Sequence, residues 1–183
     1  MDFLPLSDFD RSTLEVARAM LGCSIHVEGV ELRIVETEAY LPGDSAAHAY
    51  RGRTVRNAPM FGPPGRAYVY LCYGIHHLLN FVTEAKGRPA AVLIRGCQVQ
   101  AGHAAVEARR GGRLDLIGPG KVGQGLGLDL SWNGMLLDGA MRVSRGPAPT
   151  EVLAGPRVGI DYALPEHRDA PWRFRARHFQ GVG

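Results

Sequence analysis

Several features that would point at once to a class of function are missing from this 183-residue chain. It has only three cysteines, an odd number without a C-x-x-C pair, which argues against a disulfide framework and a cysteine zinc site. Apolar runs are short and broken by charge, and acidic residues occur early, so we expect neither a signal peptide nor a membrane span. These absences predict a cytoplasmic protein with reduced thiols.

Lysine is also scarce, since Lys86 and Lys121 are the only lysines among 21 basic residues and the rest are arginines. The planar guanidinium of arginine can donate two hydrogen bonds to one phosphate, so the bias suits a phosphate-bearing partner. A GC-rich genome would give the same bias through its codons. Because the net charge is only +3, the position of the arginines along the chain is more informative than their number.

The length and the 45% hydrophobic content are typical of one domain, and we expect residues 1–183 to form it. Ser12 to Glu15 has the form of a capping box before a helix over 13–21. Residues 24–40 predict a hairpin that turns at Glu28-Gly29. The β-branched and aromatic runs indicate further strands in 67–83, meeting near Tyr73-Gly74, and in 90–99, 157–162 and 172–179.

Helical spacing follows from Val99 to Arg110, and another helix is predicted to begin near Gly120-Lys121. No repeat or low-complexity tail interrupts the order of strands, helix and mixed elements. The pattern therefore predicts an α+β fold: a single mixed domain around a largely antiparallel β-sheet, with flanking helices and a protruding β-hairpin.

The segment "RIVETEAYLPGDSAAH" places two carboxylates inside an otherwise apolar strand. Strand alternation puts Glu36, Glu38 and Tyr40 on one face, and the loop after the strand can return His48 to the side of Tyr40. Glutamates of this kind can simply cover the polar face of an edge strand. A carboxylate, a phenol and an imidazole in one small space would instead form a site.

The segment "YVYLCYG" predicts a hairpin with an exposed tyrosine at its tip. Tyr68 and Tyr70 share a face and can be ordinary sheet packing. Tyr73 lies on the tight turn, where it has no neighbours to bury it and could wedge between stacked bases.

Two other patterns are weaker. His76 and His77 are adjacent, so on a strand they point to opposite faces, and their spacing matches no standard metal motif; we expect no metal. "GPGKVG" matches G-x-G-x-x-G but lies outside a βαβ unit, although amides at this helix start and Lys121 could hold one phosphate.

The basic residues near these features suggest a phosphate backbone as partner; they are Arg51, Arg53, Arg56, Arg66, Arg173, Arg175 and Arg177.

These motifs, together with "VLIRG", "GPGK" and "RVGI…PWRF", resemble in the same order those of the alkyladenine (methylpurine) DNA glycosylase family, from about Leu21 to Arg175. The resemblance implies a single mixed α/β domain around a curved antiparallel β-sheet. It also implies that the protein flips a damaged purine, such as 3-methyladenine or hypoxanthine, out of duplex DNA. It implies a monofunctional enzyme that hydrolyses the N-glycosidic bond without a cofactor. We expect double-stranded DNA with a damaged purine as partner and a monomeric protein bound to the nucleoid.

Carried over by motif, Glu38 resembles the general base that activates water, while Glu36 has no catalytic counterpart. Tyr40, Tyr70 and His48 resemble the walls and donor of the base pocket, and Asn80 the amide that disfavours guanine. Tyr73 resembles the residue that intercalates into the duplex, and Arg95 a pocket-side support or backbone contact. From their positions along the chain, and not from the resemblance, we also expect Arg51, Arg56 and Lys121 to contact DNA.

Two other interpretations stay open on the sequence alone. One is a catalytically idle protein that binds damaged DNA with the same pocket and wedge, although retention of Glu38 argues against it. The other is a hydrolase of free nucleosides, for which an exposed Tyr73 would have no purpose. Neither lysine lies in a motif that resembles a Schiff-base lysine, so we expect no strand cleavage by a lyase step.

Overall fold

The computed structural model describes residues 1–180, in which nine strands form one curled antiparallel sheet with four helices around it. Along the main path the strand order is β3-β4-β5-β2-β1-β7; β6 adds to β5, and β9 joins β2 to β8. The strands are β1 Ser24–Val27, β2 Val30–Tyr40, β3 Ala67–Cys72, β4 His76–Val82, β5 Ala91–Ala101, β6 Leu116–Ile117, β7 Met141–Ser144, β8 Pro149–Gly155 and β9 Arg173–Phe179. The helices are α1 Thr13–Ala19, α2 His103–Arg110, α3 Pro119–Leu126 and α4 Pro165–Arg168.

The predicted fold class is confirmed, as are the hairpins at Glu28-Gly29 and Tyr73-Gly74. The prediction that 157–162 forms a strand is wrong: this segment is a loop, and the unpredicted strand β8 precedes it. The helix after β5 begins at His103, not Val99, because β5 continues to Ala101 and Gly102 then turns with φ +79°.

The capping box at the start of α1 does not form. Thr13 Oγ1 instead donates to Glu84 Oε1 at 2.7 Å, which links the helix to the loop after β4. The Ser12 side chain makes no capping hydrogen bond, and the helix ends at Ala19. Tertiary contacts have therefore replaced the local cap.

A double irregularity between β2 and β5 reverses the inward face of β2. Ile34 pairs with Cys97, Glu36 with Gly96 and Thr37 with Ile94, so Val35 on β2 and Arg95 on β5 are each an extra residue. Before this bulge Leu32 and Ile34 enter the core, and after it Thr37 and Ala39 do. Bulges re-aim side chains in this way, and here the change leaves Glu36 and Glu38 on the face away from the core.

Helix α3 explains the glycines of "GPGKVGQGLG", because it packs directly on β4. A Cβ on Gly123 would lie 1.9 Å from the His77 carbonyl oxygen, a distance no side chain can occupy. Val122 and Leu126 of α3 enter the main core with Leu79 of β4. Gly120, whose Cβ would lie 2.8 Å from the His76 side chain, and Gly123 are therefore the glycines of this pattern that close helix-to-strand packing requires.

The helices of residues 1–180 are all too short or too polar to cross a membrane.

Candidate active site

A cavity of about 550 Å³ opens where the end of β2 meets the β3–β4 hairpin. One side, the strand wall, consists of Tyr68, Tyr70 and Asn80 on β3 and β4. The other side, the loop wall, consists of residues 41–49, which follow β2, and residues 156–164, which follow β8. Glu38 and Tyr40 at the end of β2 line the cavity between the two walls.

Glu38 is a fully buried carboxylate whose oxygens both accept hydrogen bonds. The Tyr40 hydroxyl donates to Oε2 at 3.0 Å, and the Val158 backbone N–H donates to Oε1 at 2.9 Å. Burial raises the pKa of Glu38, and the nearby Arg95 guanidinium and these donors oppose that rise. The result is an oriented carboxylate with enhanced basicity, facing an open cavity.

Arg95, the extra residue of the β5 bulge, lies between the two glutamates of the motif. Its Nε is 3.4 Å from Glu36 Oε1 and 3.5 Å from Glu38 Oε1. Arg173 on β9 also approaches Glu36 Oε1, at 3.4 Å. Glu36 therefore sits between two arginines outside the cavity lining, whereas Glu38 lines the cavity. The two carboxylates occupy different environments although they are two residues apart.

His48 joins the two walls through β3. Its Nδ1 is 2.9 Å from the Tyr68 hydroxyl, and its ring lies 4.5 Å from the Tyr70 ring in an edge-to-face arrangement. Burial raises the pKa of Tyr68 to about 12, so this phenol keeps its proton. One edge of His48 is exposed at the cavity mouth, yet the surrounding protein and the Arg56 guanidinium lower its pKa and favour the neutral imidazole. A Tyr68 hydroxyl that donates to Nδ1 leaves Nε2–H as a donor.

Asn80 is held in a fixed orientation within the strand wall. It is 4% exposed, and its Nδ2 donates to the Tyr68 carbonyl oxygen across the β3–β4 pair at 3.0 Å. Because this bond ties the amide to the main chain of the neighbouring strand, the amide cannot rotate freely to suit different ligands. Asn80 therefore offers the cavity a rigid polar group.

Tyr73 projects from the tip of the hairpin, as the sequence predicts. It is 92% exposed and has φ +50°, a conformation that non-glycine residues rarely adopt, and Gly74 follows with φ +70°. Ile75 beside it is 71% exposed. Strained backbone that holds a large ring in solvent indicates a functional constraint at this turn.

The cationic residues predicted to contact DNA have different surroundings. Arg56 lies 5.0 Å from the centroid of the Tyr70 ring and donates to the Leu71 carbonyl oxygen at 3.3 Å, so it is at the cavity mouth. Arg51 is exposed on the loop that leaves the loop wall. Lys121 in α3 forms an ion pair with Asp115, which competes with the predicted phosphate contact.

Three residues that belong to this site, Arg157, Val158 and Tyr162, have no role in the sequence-based predictions. The Tyr162 hydroxyl donates to the Ala46 carbonyl oxygen at 3.0 Å, which connects the two segments of the loop wall. Because 157–162 is predicted to be a strand, these residues are not expected on a loop beside the cavity. The dipeptide Gly155-Pro156, a turn signal directly before the segment, could have indicated a loop.

Residues 1–180 contain no group of three or more histidine, cysteine, aspartate or glutamate side chains placed to hold a metal ion. The chemistry available at the cavity is that of a buried carboxylate, phenols, a neutral imidazole and guanidinium groups. Such a cavity can offer aromatic faces to a planar ring and a carboxylate that can accept a proton.

Comparison with known proteins identifies the family. Residues 7–180 match the model of the family described as methylpurine-DNA glycosylase (MPG), and the chain belongs to this family. A protein of Nitrosococcus oceani that is provisionally named a 3-methyladenine DNA glycosylase is 56% identical over 178 residues, covering 94% of this chain and 89% of that protein. The DNA-3-methyladenine glycosylase of Arabidopsis thaliana is 49% identical over 181 residues, covering 95% of this chain and 71% of that protein. The predicted family is thus confirmed.

Proposed function

We propose that this protein is a monofunctional DNA-3-methyladenine glycosylase of base excision repair. It receives an alkylated purine, flipped out of duplex DNA, in the cavity and hydrolyses the bond between the base and deoxyribose C1′. The observation that carries the proposal is the fully buried Glu38 carboxylate, oriented by Tyr40 and the Val158 N–H beside a cavity with aromatic walls.

Glu38 acts as the general base that takes a proton from the attacking water. Its raised pKa makes its charged form a stronger base than an exposed glutamate, and the positive charge of Arg95 keeps that form accessible. A positioned general base contributes about 10²- to 10⁴-fold in rate. This suffices for an N-alkylated purine, because its positive charge already makes it a good leaving group.

The flipped base stacks between rings of the cavity, where Tyr40 and Tyr70 supply the faces. Stacking contributes about 1–3 kcal/mol per base, which offsets part of the cost of taking the base out of the helix. The Nε2–H of a neutral His48 donates a hydrogen bond to the base. Asn80, whose amide is held by the Tyr68 carbonyl oxygen, is the group that disfavours the exocyclic amino group of guanine.

Tyr73 fills the gap left in the duplex, since it is already exposed and needs no rearrangement to insert. Arg56, which lines the cavity, and the exposed Arg51 five residues before it hold the phosphates that flank the flipped nucleotide. Lys121 would have to exchange Asp115 for a phosphate, so its contribution depends on that competition.

The test is release of free base from duplexes that contain an alkylated adenine or hypoxanthine, with the corresponding free nucleosides alongside. We expect release from the alkylated duplex, and Glu38→Gln should lower the single-turnover rate by about 10²- to 10⁴-fold with DNA binding retained. Glu36→Gln is the matched control, because it alters the neighbouring carboxylate outside the cavity lining.

Undiminished release by Glu38→Gln would contradict the role of Glu38. Release from free nucleosides but not from DNA would indicate a nucleoside hydrolase. Binding of damaged duplex without release by the unmodified protein would indicate a damage-binding protein. Hypoxanthine release, compared with release of the alkylated base, measures how far the site acts on neutral lesions.

A further inference from the structure

Arg157, the first residue of the "RVGI" motif, is a buried cation to which the sequence assigned no role. Its side chain has no exposed surface, and it forms an ion pair with the equally buried Asp44. One guanidinium nitrogen also donates to the Ala39 carbonyl oxygen at 2.9 Å, and the other to Asp44 Oδ1 at 3.0 Å and the His167 carbonyl oxygen at 3.1 Å. A buried charge is costly unless it is paired, so a group held by this many partners is a candidate for a specific role.

The guanidinium also lies between two aromatic rings. Its central carbon is 4.5 Å from the centroid of the Tyr40 ring and 5.0 Å from that of the Trp172 ring. Tyr40 lines the cavity and Arg157 does not, so the cation supports this ring from the protein side. The orientation of the Tyr40 ring, on which a flipped base would stack, is therefore fixed by Arg157.

The same residue is connected to Glu38 by two routes. Arg157 Nη1 binds the carbonyl oxygen of Ala39, the residue after Glu38. The next residue along the chain, Val158, donates its backbone N–H to Glu38 Oε1 at 2.9 Å. Displacement of Arg157 would thus move a hydrogen-bond donor to the carboxylate and the ring that carries its other donor, the Tyr40 hydroxyl.

We propose that Arg157 is a positioning residue for base excision: its guanidinium fixes the Tyr40 ring and the Val158 N–H, and these two groups orient the Glu38 carboxylate. This inference rests on the proposed function and assigns a source to the geometry that the function needs. Arg157 does not touch the base or the water. It acts through Tyr40, Ala39 and Val158, so its loss should impair the chemical step more than DNA binding.

The charge of Arg157 adds an effect that a purely structural role lacks. Several groups face Glu38: Arg95 from β5, Tyr40 and Glu36 from β2, and Arg157 with the Val158 N–H from the loop wall. Burial raises the pKa of Glu38, and the positive charges of Arg95 and Arg157 lower it. Removing Arg157 should therefore raise this pKa further and move the acid limb of the rate profile to higher pH.

The experiment measures single-turnover release of a cationic alkylated purine across pH, together with DNA affinity and thermal unfolding. Arg157→Gln should lower the rate on the order of 10- to 100-fold, as expected for small misplacements of catalytic groups, with affinity retained and the acid limb at higher pH. Arg157→Lys keeps the charge but not the planar fork, so it should lower the rate without moving the limb.

Asp44→Asn is the matched control, because it breaks the same ion pair but retains the cation beside Glu38. It should lower thermal stability as Arg157→Gln does, and it should not move the acid limb to higher pH. Equal rates and identical pH profiles for Arg157→Gln and Asp44→Asn would show that the pair is only structural and would overturn the proposal.

A double variant, Arg157→Met with Asp44→Asn, keeps the test valid if single variants fail to fold. It removes both charges, preserves side-chain volume and leaves an acceptor for the Ala46 N–H, so it should recover stability. A folded double variant with reduced rate supports the proposal, and one with an unaltered rate and pH profile overturns it. Failure of the proposed function is a separate outcome, because it is read from the unmodified protein, which would then release no base from any duplex. Failure of the Arg157 proposal is read from the variants.

Discussion

The two walls of the cavity are built by different means. The strand wall is held by main-chain hydrogen bonds, since β3 pairs with β4 from Ala67 to Cys72 and β4 pairs with β5. The loop wall is held by side chains: Arg157 with Asp44, Tyr162 with Ala46, and Ser45 Oγ with His167 Nδ1 at 2.9 Å. Glu38 lies where the two meet: besides Tyr40, the Val158 N–H of the loop wall donates to it, and Arg95 of the β5 bulge forms an ion pair with it.

This difference indicates how each wall responds to substitution. In the strand wall a side chain can change while the backbone ladder keeps its position, so Tyr70 and Asn80 can be altered one contact at a time. In the loop wall the side chains themselves determine the backbone path, so one change affects several contacts. The strand wall is therefore expected to tune which base enters, and the loop wall to determine whether Glu38 is correctly oriented.

The largest effect that tests this comparison is expected behind the strand wall. Gly123→Ala would place a Cβ 1.9 Å from the His77 carbonyl oxygen, so α3 must move away from β4. Overpacking of this kind destabilises by roughly 3 kcal/mol. We expect a lower free energy of unfolding in urea and weaker base release, because the strand that carries Asn80 is displaced.

Gly155→Ala is the control for this change, since no atom lies within 4 Å of its Cβ position and its φ is ordinary. It should leave the free energy of unfolding nearly unaltered. If Gly123→Ala were equally harmless, the strand wall would not depend on close packing of α3, and the contrast between the walls would fail.

A smaller effect, of about 1 kcal/mol, is expected at the hairpin tip. Tyr73 has φ +50°, which costs an L-residue roughly 1–2 kcal/mol and glycine little. Tyr73→Gly should therefore stabilise the fold by about 1 kcal/mol, whereas Tyr73→Ala keeps the strain. Both remove the wedge, so both should lower base release from duplex DNA.

Denaturant titration and base release, measured on both variants, separate strain from function. Equal stability of the glycine and alanine variants would mean that the turn is unstrained. Release from duplex at the unaltered rate in both would show that the wedge is unnecessary.

Much of the strand wall could be predicted from the sequence, because its signals are local. The alternation in β3 and β4 and the Tyr73-Gly74 turn give the hairpin directly, and the structure has it at those residues. The loop wall could not be predicted in this way. Its stabilising contacts join Asp44 to Arg157, 113 residues apart, and no periodicity in the sequence connects them.

The face of β2 shows a similar limit. Strict alternation places Glu36, Glu38 and Tyr40 together, and this holds after the bulge. The alternation alone does not predict that the core side switches between Ile34 and Thr37, since that depends on extra residues in β2 and its partner β5. Nor does it separate Glu36 from Glu38: Arg95 approaches both carboxylates, but Arg173 pairs with Glu36, and Glu38 lines the cavity.

A pH effect on stability is expected where the walls meet. Burial raises the pKa of Glu38 above its unfolded value, so the native state binds more protons and its stability falls as pH rises through the folded-state pKa. Glu38→Gln has no charge to bury. We therefore expect it to be more stable than the unmodified protein at neutral pH, with the difference disappearing below about pH 4.

Urea denaturation of both proteins over this pH range measures the effect. Glu36→Gln is the control, since Glu36 is paired with Arg95 and Arg173, and its removal should reduce stability instead. A Glu38→Gln variant less stable than the unmodified protein at neutral pH would mean that the donors around Glu38 outweigh the cost of burying its charge.

The smallest expected effect is a negative result: neither wall provides a nucleophilic amine, so we expect no covalent protein–DNA adduct. A lyase step needs an amine at C1′, but no lysine lines the cavity within residues 1–180: Lys86 is in the turn after β4, and Lys121 is paired with Asp115 in α3. Borohydride added during reaction with damaged duplex should therefore trap no protein–DNA adduct, while a lyase-type glycosylase treated alongside gives one. A robust adduct that persists in Lys86→Ala but disappears in Lys121→Ala would show that α3 can release Lys121 from Asp115, and would add a third, catalytic surface to the two walls.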